Sequence, residues 1–223
     1  MCGRFSVAVN KKDLTEYLED NYDISVLPEQ ITLPRYNIAP SEDVISLIND
    51  GTKYRVGLLK WGFTNDDKFI INARSETIDK LPVFKKSFQE KRCLILADGF
   101  FEWKRETGTK EPYRFTLKNR KIFAFAGLWQ AKQNKDGSIV YETLIITKKA
   151  DQLMKDIHDR MPVILTEEEA FIWLNPSLKK DEALKQILIT YNELDMIYYP
   201  VSQKVNSAKY KEEDAIIEIK KST

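Results

Sequence analysis

Short apolar runs separated by polar turn signals fill the first two thirds of the chain. The runs are rich in Val, Ile, Phe and Tyr, and polar clusters such as residues 118–120 and 134–137 interrupt them. This pattern is typical of antiparallel β-sheet, and the close spacing of the runs favours a sheet that curls into a barrel. The predicted strands cover residues 3–7, 44–48, 54–59, 93–97, 113–117, 122–128 and 141–147.

Apolar positions at helical spacing mark a second set of segments, most of them late in the chain. One of these segments has a clear start, because Thr166 and Glu169 form a capping-box pattern with acidic residues in the first turn. Helices that follow a strand-rich stretch predict an α+β fold: predominantly antiparallel β, with a barrel-like core and peripheral helices. The predicted helices cover residues 13–18, 83–90, 151–157, 167–174 and 181–188.

The composition is that of a folded globular protein. Hydrophobic residues make up 43% of the chain and charged residues 31%. The 223 residues contain no internal repeat and no linker rich in Gly, Ser or Pro, so we predict a single domain over residues 1–223. Lys and Arg number 35 against 34 Asp and Glu, so any nucleic-acid surface must arise from local segregation of charge.

Compartment and cofactors are predicted from what the sequence lacks. The apolar runs are too short to span a membrane and no leader opens the sequence, so we expect a cytoplasmic protein with no membrane partner. In that reducing compartment Cys2 and Cys93 are expected to stay thiols. A single histidine, His158, beside two cysteines matches zinc-ligand sets poorly, and the scattered glycines form no phosphate-binding loop. We therefore predict no metal and no cofactor.

Cys2 follows the initiator methionine, and methionine aminopeptidases remove Met1 when a small residue comes next. The new N-terminus would carry an amine and a thiol on one residue, with pKa values of about 7.7–8.0 and 8.5. An aldehyde would form an imine with the amine, and the thiolate would then close a five-membered thiazolidine. The alternative is that Cys2 is only a small, half-buried residue at the start of an edge strand. Cys93, inside an apolar run, is assigned no chemistry.

Further segments carry polar side chains suited to catalysis or binding. His158 titrates near neutral pH, although a histidine at a helix end often only bonds to backbone. Glu102 lies between bulky aromatic residues, where desolvation would raise its pKa and suit it to acid/base catalysis, unless its strand turns it to water. Residues 72–77 form either a polar turn or a helix cap, and Pro40 makes the loop at 36–40 rigid.

Six of these segments occur in an order that resembles the SRAP family, whose members are SOS-response-associated peptidases or abasic-site processing proteins. The resemblance extends over nearly the whole chain, since residues 200–206 are similar to the family's closing segment. The six segments are residues 1–5, 36–40, 61–62, 72–77, 98–103 and 158–162.

The resemblance implies a protein that captures an abasic site in single-stranded DNA as a thiazolidine at Cys2. By similarity, Asn72 would orient the Cys2 amine and the sugar. Glu102 would be the general acid/base for ring opening and cross-link reversal, and His158 would hold or protonate the sugar hydroxyl. The thiolate would protect the strand by removing the imine that promotes β-elimination, with a weaker lyase reaction if the amine acts alone. The peptidase label implies removal, in cis, of the residue before the cysteine.

Contacts with DNA also follow from the resemblance. Arg4 and Arg74 match positions that contact phosphate, and Pro40 lies in the loop that abuts bases next to the lesion. Where relatives often carry a longer loop this chain has only residues 63–68, so no DNA contact is predicted there. We expect a monomer that associates with the nucleoid upon DNA damage. Further phosphate contacts are open at Lys85, Lys86 and Arg160, and the alternative for Lys85 and Lys86 is that they are ordinary solvated helix residues.

Two other functions remain open on the residues alone. An N-terminal-nucleophile hydrolase would attack an amide with the Cys2 thiolate, using Asn72 in the oxyanion site and the amine or His158 as base. A non-catalytic single-stranded-DNA binding module would instead stack bases on aromatic side chains such as Trp61 and Trp103.

Overall fold

Apolar residues place more of the chain in β-strands than in helices. The structure, a computed structural model, describes residues 2–65, 68–106, 109–179, 181–190 and 195–220. Its strands are β1 (Phe5–Val7), β2 (Arg35–Ile38), β3 (Asp43–Asn49), β4 (Tyr54–Trp61), β5 (Phe63–Asn65), β6 (Lys68–Ile70), β7 (Asn72–Arg74), β8 (Arg92–Ala97), β9 (Gly99–Glu106), β10 (Thr109–Leu117), β11 (Phe123–Gln133), β12 (Ile139–Lys149), β13 (Arg160–Pro162), β14 (Ile164–Leu165) and β15 (Met196–Pro200).

The longest apolar runs form a closed barrel. Its strand order is β12–β4–β3–β8–β11, and β11 pairs back with β12 to close the ring. All pairings are antiparallel except that of β12 with β4, which is parallel. Strand β8 is buried at every position, as expected of a strand that is covered on both faces. The prediction of an α+β fold, predominantly antiparallel and built on a barrel-like core, is confirmed.

A second antiparallel sheet, in the order β15–β10–β9–β1–β2, lies against the barrel. Phe5 of β1 joins the two layers, because its ring lies 5.2 Å from Trp61 and 5.7 Å from Phe125, centroid to centroid. Aromatic pairs at these distances stabilise a core beyond the area that they bury. The residues just before Phe5 are thereby placed at the boundary between the sheet and the barrel.

Four helices are seen among the described residues, and they lie at the periphery: α1 (Lys11–Tyr22), α2 (Pro82–Glu90), α3 (Glu167–Leu174) and α4 (Asp181–Ile189). The predicted capping box at the start of α3 is present, since Thr166 Oγ1 accepts from the Glu169 N–H and the Glu169 carboxylate accepts from the Thr166 N–H. Helix α1 is longer than predicted because Asn10 caps its first turn. Within the described ranges, no helix combines the length and apolarity that crossing a bilayer requires.

The helix predicted over residues 151–157 is wrong, because successive turns occupy that segment. The Asp151 carboxylate caps a first turn by accepting from the Met154 N–H at 2.8 Å. The helical ladder does not continue, because the Ile157 and His158 N–H groups both donate to the Met154 carbonyl at 2.9 Å. The Ala150 N–H then donates to the Asp159 carbonyl at 3.0 Å and closes the connection between β12 and β13. The segment is therefore a series of turns and not a regular helix.

Arg92 joins two helix ends to the barrel, and its replacement by methionine should strongly destabilise the fold. The buried guanidinium donates to carbonyls at the ends of α2 and α3, including Phe88 O at 3.0 Å and Trp173 O at 2.6 Å. Burial lowers the pKa of Arg92 to about 10. Because several buried carbonyls would lose their donor, urea unfolding of Arg92→Met should show a loss of about 3 kcal/mol or more. The half-exposed Arg55 is the control, and Arg55→Met should cost less than about 1 kcal/mol.

Candidate active site

Cys2 is buried where the second sheet meets the barrel. Burial raises the pKa of its thiol well above the usual range, and the negative charge of Glu102 raises it further. The thiol is therefore protonated at neutral pH, and it needs a proton acceptor at the moment it reacts. Cys93, equally buried, has its pKa raised to about 12 by desolvation, and both cysteines are free. Cys93 lies in the barrel core, with its sulfur 3.2 Å from Thr143 Oγ1.

Asn72 approaches Cys2 from the barrel side. It begins β7, a short strand that pairs in parallel with β12, so that Asn72 stands opposite Ile145. Its Nδ2 donates to the Cys2 carbonyl at 2.9 Å. Its Oδ1 is buried and accepts no hydrogen bond from the described residues. A buried acceptor without a donor is costly, so this oxygen is suited to a hydroxyl or amine hydrogen that arrives with a substrate.

Glu102 approaches from the opposite side, on β9. Glu102 is only 3% exposed, and in the sheet it pairs with Tyr113 of β10. The β1–β9 ladder, in which the Phe101 N–H donates to the Arg4 carbonyl at 2.9 Å, places Glu102 beside the start of the chain, and its charge acts on the Cys2 thiol. The structure thus brings together Cys2, Asn72 and Glu102, which are far apart in the sequence.

His158 lies on the turn before β13, with a side chain that is 17% exposed. The Arg160 N–H donates to its Nδ1 at 3.0 Å, so the neutral ring carries its proton on Nε2. The Asp159 carboxylate lies 3.0 Å from the same Nδ1, and a protonated ring would pair with it instead. Arg160 connects this turn to the segment after β7, because its guanidinium binds both Glu76 carboxylate oxygens, at 2.5 and 3.0 Å. That bidentate pair occupies Arg160, so its guanidinium is not available as the phosphate contact left open by the sequence.

Arg4 is more constrained than a phosphate-binding arginine on an open surface. Its Nη1 donates to Asn37 Oδ1 and to the Val205 carbonyl, both at 2.8 Å. Its guanidinium also lies over the Trp103 ring, 5.6 Å from the centroid, and Trp103 Nε1 donates to Asn206. Burial lowers the pKa of Arg4. No sequence pattern indicates that Asn37 and Val205 hold Arg4.

The other predicted DNA contacts lie at the rim. Arg74 is exposed at the end of β7, opposite Thr147 of β12. Pro40 is half-buried in the loop between β2 and β3, and Lys85 and Lys86 are exposed on α2. In the predicted 63–68 loop, residues 66 and 67 lie outside the described residues, as does Met1.

The proposed stacking of bases on Trp61 is wrong. The Trp61 side chain is fully buried, its ring packs on Phe5, and its Nε1 donates to the Ile71 carbonyl at 3.0 Å. A side chain that fills the core has no face left for a nucleobase. Trp103 is half-buried, and its ring is engaged by Arg4.

Asp98 and Gly99 belong to a polar network that holds strand β1, next to Cys2, against its neighbouring strands. The Asp98 carboxylate accepts from Ser6 Oγ at 2.7 Å and pairs with Arg114 Nη2 at 3.0 Å. Arg114 Nη1 also donates to Tyr199 Oη at 2.6 Å, so its guanidinium is held in place against Gly99. This network fixes β1 against β9 and β10, and with it the strand that follows Cys2.

Gly99→Ala should destabilise the protein because the new Cβ would lie 2.6 Å from Arg114 Nε and Nη2. The guanidinium can move only by giving up its partners, so we expect a loss of about 1–3 kcal/mol in chemical unfolding. Gly57→Ala is the matched control, since nothing lies within 4 Å of its Cβ position. Equal unfolding midpoints for the two variants would contradict this account of Gly99.

Comparisons with known proteins place this site in a wider context. A family model described as SOS response associated peptidase (SRAP) matches residues 1–208. Abasic site processing protein YoqW of Bacillus subtilis (strain 168) is 45% identical over 217 residues, which cover 94% of this chain and 96% of that protein. Abasic site processing protein YobE of the same organism is 44% identical over 215 residues, with 93% and 97% covered. A crystal structure of a protein from Bacteroides thetaiotaomicron matches with a TM-score of 0.80 at 26% identity, covering 98% of this chain and all of that chain.

Proposed function

This chain belongs to the SOS response associated peptidase (SRAP) family, and from that premise we propose that it processes abasic sites in DNA by capturing them covalently at Cys2. Loss of Met1 frees the Cys2 amine, and the ring-opened deoxyribose presents its aldehyde to that amine. The captured lesion is then shielded as a DNA–protein cross-link during the response to DNA damage. The partner is single-stranded DNA that contains an abasic site.

The proposed reaction forms two bonds at the aldehyde carbon and releases one water. The Cys2 amine attacks the carbon, and the aldehyde oxygen leaves as water to give an imine. The sulfur then adds to the imine carbon while the thiol proton passes to the nitrogen, which closes the thiazolidine. No oxidant, reductant or metal is needed, and the ring closure gains from the high effective concentration of the neighbouring thiol.

The observation that carries the proposal is the meeting of Asn72 and Glu102 at Cys2. Asn72 Nδ2 donates to the Cys2 carbonyl at 2.9 Å, and this contact anchors the backbone next to the Cys2 amine. Its buried Oδ1 provides an acceptor for the sugar hydroxyl. Because the thiol is held protonated by burial and by the Glu102 charge, the Glu102 carboxylate is suited to move the proton during capture and reversal. His158 would hold or protonate the sugar hydroxyl.

Binding of the flanking strand is assigned to Arg4, Pro40 and Arg74. Arg74 is exposed and free to approach a phosphate, whereas Arg4 offers a guanidinium fixed by Asn37. Such contacts are independent of sequence and weaken as salt rises. We propose that the protein acts as a monomeric domain in the cytoplasm, at the nucleoid when DNA is damaged. A weaker lyase reaction and removal of Met1 in cis complete the proposed activities.

The raised pKa of Cys2 argues against the alternative of a cysteine hydrolase, since the thiolate is the nucleophile in such enzymes. Of the two bases considered for such an enzyme, the Cys2 amine and His158, the histidine already accepts the Arg160 N–H at Nδ1. Covalent capture needs the amine first and the sulfur second, so it is compatible with a thiol that is neutral at rest.

Intact-mass analysis tests the proposal directly. The purified protein should have lost one methionine residue, and incubation with an abasic single-stranded oligonucleotide should add the oligonucleotide mass minus one water. The same oligonucleotide with an intact base should add nothing. A correctly processed protein that gives no adduct with the abasic oligonucleotide would show that the proposed function is wrong.

A further inference from the structure

The last described segment, residues 209–220, follows the region that matches the family model, which ends at residue 208. This segment is nevertheless part of the folded structure. Ala215 is fully buried among side chains of the second sheet, and the Ile219 N–H donates to the Pro200 carbonyl at 3.0 Å. The segment therefore has a fixed path across the second sheet.

Lys211 extends from this segment to the loop that carries Pro40. Its Nζ donates to the Asn37 carbonyl at 2.6 Å and pairs with the Glu42 carboxylate. The same carboxylate accepts from Arg35 Nη2 at 2.9 Å and from the Ala39 N–H at 3.1 Å. Glu42 thus binds two cations and one backbone N–H, which come from residues 35–39 and from residue 211.

These contacts fix the loop on both sides of Pro40. On one side, the Ala39 N–H is bound by the Glu42 carboxylate. On the other side, the Ser41 N–H donates to the Trp61 carbonyl and the Trp61 N–H donates to the Glu42 carbonyl, both at 2.8 Å. Ser41 adopts a left-handed conformation with φ of 75°, which a non-glycine residue holds only when its surroundings enforce it. Proline has no N–H of its own, so its position depends on these neighbours.

The same segment also positions Arg4. Asn37 accepts from Arg4 through Oδ1 and donates through Nδ2 to the Tyr210 carbonyl, both at 2.8 Å. Tyr210 precedes Lys211, so one short stretch of chain supports both Arg4 and the Pro40 loop. The charge of Glu42 also offsets part of the lowering of the Arg4 pKa and so favours its charged form.

We propose that the Glu42–Lys211 pair is a latch that positions the Pro40 loop and Arg4 for capture of the lesion, and that Glu42 and Lys211 are positioning residues for the reaction. The inference rests on the proposed function and adds to it two residues, one of them outside the region matched to the family. A carboxylate repels phosphate, so Glu42 cannot act by attracting DNA. Because the latch holds the Pro40 loop and Arg4 in place, its loss should lower the rate at which bound DNA reacts even when DNA is saturating.

The test separates the rate of reaction from the affinity for DNA. We expect Glu42→Gln to lower the rate of adduct formation at saturating abasic oligonucleotide by about tenfold, because small misplacement of the reacting groups is costly. Affinity for the matching undamaged oligonucleotide is measured separately. The lost negative charge favours binding and a misplaced Arg4 opposes it, so we expect affinity to change less than the saturated rate. Lys211→Gln should lower the saturated rate to a similar extent, and the double variant should be no slower than either single variant if the two residues act as one unit.

Neighbouring residues provide matched controls. Asp43→Asn and Lys209→Gln change charge by the same amount at exposed positions next to the latch, and they should leave the saturated rate near that of wild type. Unfolding midpoints should barely differ, since a partly exposed ion pair contributes little to stability. Hydrogen exchange at the Ala39 amide should be faster in both latch variants.

The outcomes are distinguishable. A Glu42→Gln rate equal to that of Asp43→Asn, or an effect confined to affinity, would overturn the latch while wild-type adduct formation still supports the proposed function. A wild type that forms no adduct would overturn the proposed function, and the latch with it.

Discussion

Cys2→Ala should abolish the stable adduct with abasic single-stranded DNA, with a loss of at least about a hundredfold in its rate of formation. The variant keeps an N-terminal amine once Met1 is removed, so it can still form an imine, but it has no sulfur to close the ring. The imine is reversible and promotes β-elimination, so strand cleavage should rise as the stable adduct disappears. Reaction with borohydride should trap the imine. Denaturing gels of abasic oligonucleotide, with and without borohydride, measure both effects.

Cys93→Ala is the matched control for this experiment. Both cysteines are fully buried, and burial raises the pKa of both thiols, but Cys93 lies in the barrel core beside Thr143. Its variant should lose some stability from the small cavity, yet it should form the adduct at close to the wild-type rate. A stable adduct of Cys2→Ala at wild-type yield would rule out the thiazolidine.

The strands could be predicted from the sequence because apolar run length and turn signals act locally. The run at 93–97 lies within β8, and the run at 122–128 lies within β11 except for its first residue; flanking residues extend both strands. The parallel pairing of β12 with β4 that closes the barrel could not be predicted. Register between distant strands is decided by which faces pack together, and no local pattern in either strand encodes that choice. The wrong helix at 151–157 has another cause. Apolar spacing and the Asp151 cap start a first turn, but the next backbone N–H groups converge on the Met154 carbonyl and the helical ladder ends.

The reactive residues of the site could be predicted from the sequence more readily than the contacts that hold them in place. Cys2 stood out because an amine and a thiol on one residue have a specific reactivity, and the resemblance to a family supplied Asn72 and Glu102. The contacts that hold Arg4 use the carbonyl of Val205, which is 201 residues away along the chain. Any residue can supply a backbone carbonyl, so sequence patterns give no signal for it. Lys211 was missed for the related reason that an exposed lysine near a chain end usually indicates only solvation.

Glu102→Gln should slow adduct formation by about a hundredfold or more while making the Cys2 thiol easier to ionise. The loss of rate follows from removing the group proposed to move protons during imine formation and ring closure. The charge of Glu102 raises the pKa of Cys2, so removing that negative charge lowers the pKa. The pKa stays above its usual range, because burial, the larger cause, remains. At a fixed alkaline pH the variant therefore has the larger thiolate fraction.

In Glu102→Gln, ionisation of the Cys2 thiol should become easier while adduct formation becomes slower, so one variant tests both roles of Glu102. Alkylation of Cys2 by a small reagent, followed as a function of pH in a Cys93→Ala background, should shift to lower pH in Glu102→Gln while adduct formation falls. Glu142→Gln is the control, because Glu142 is also 3% exposed but binds Thr64 and Gln130 on the barrel. It should move neither the alkylation profile nor the adduct rate beyond what lost stability explains. A thiol that becomes more reactive together with faster capture would show that thiolate supply limits the reaction, and would assign Glu102 a restraining role in place of proton transfer.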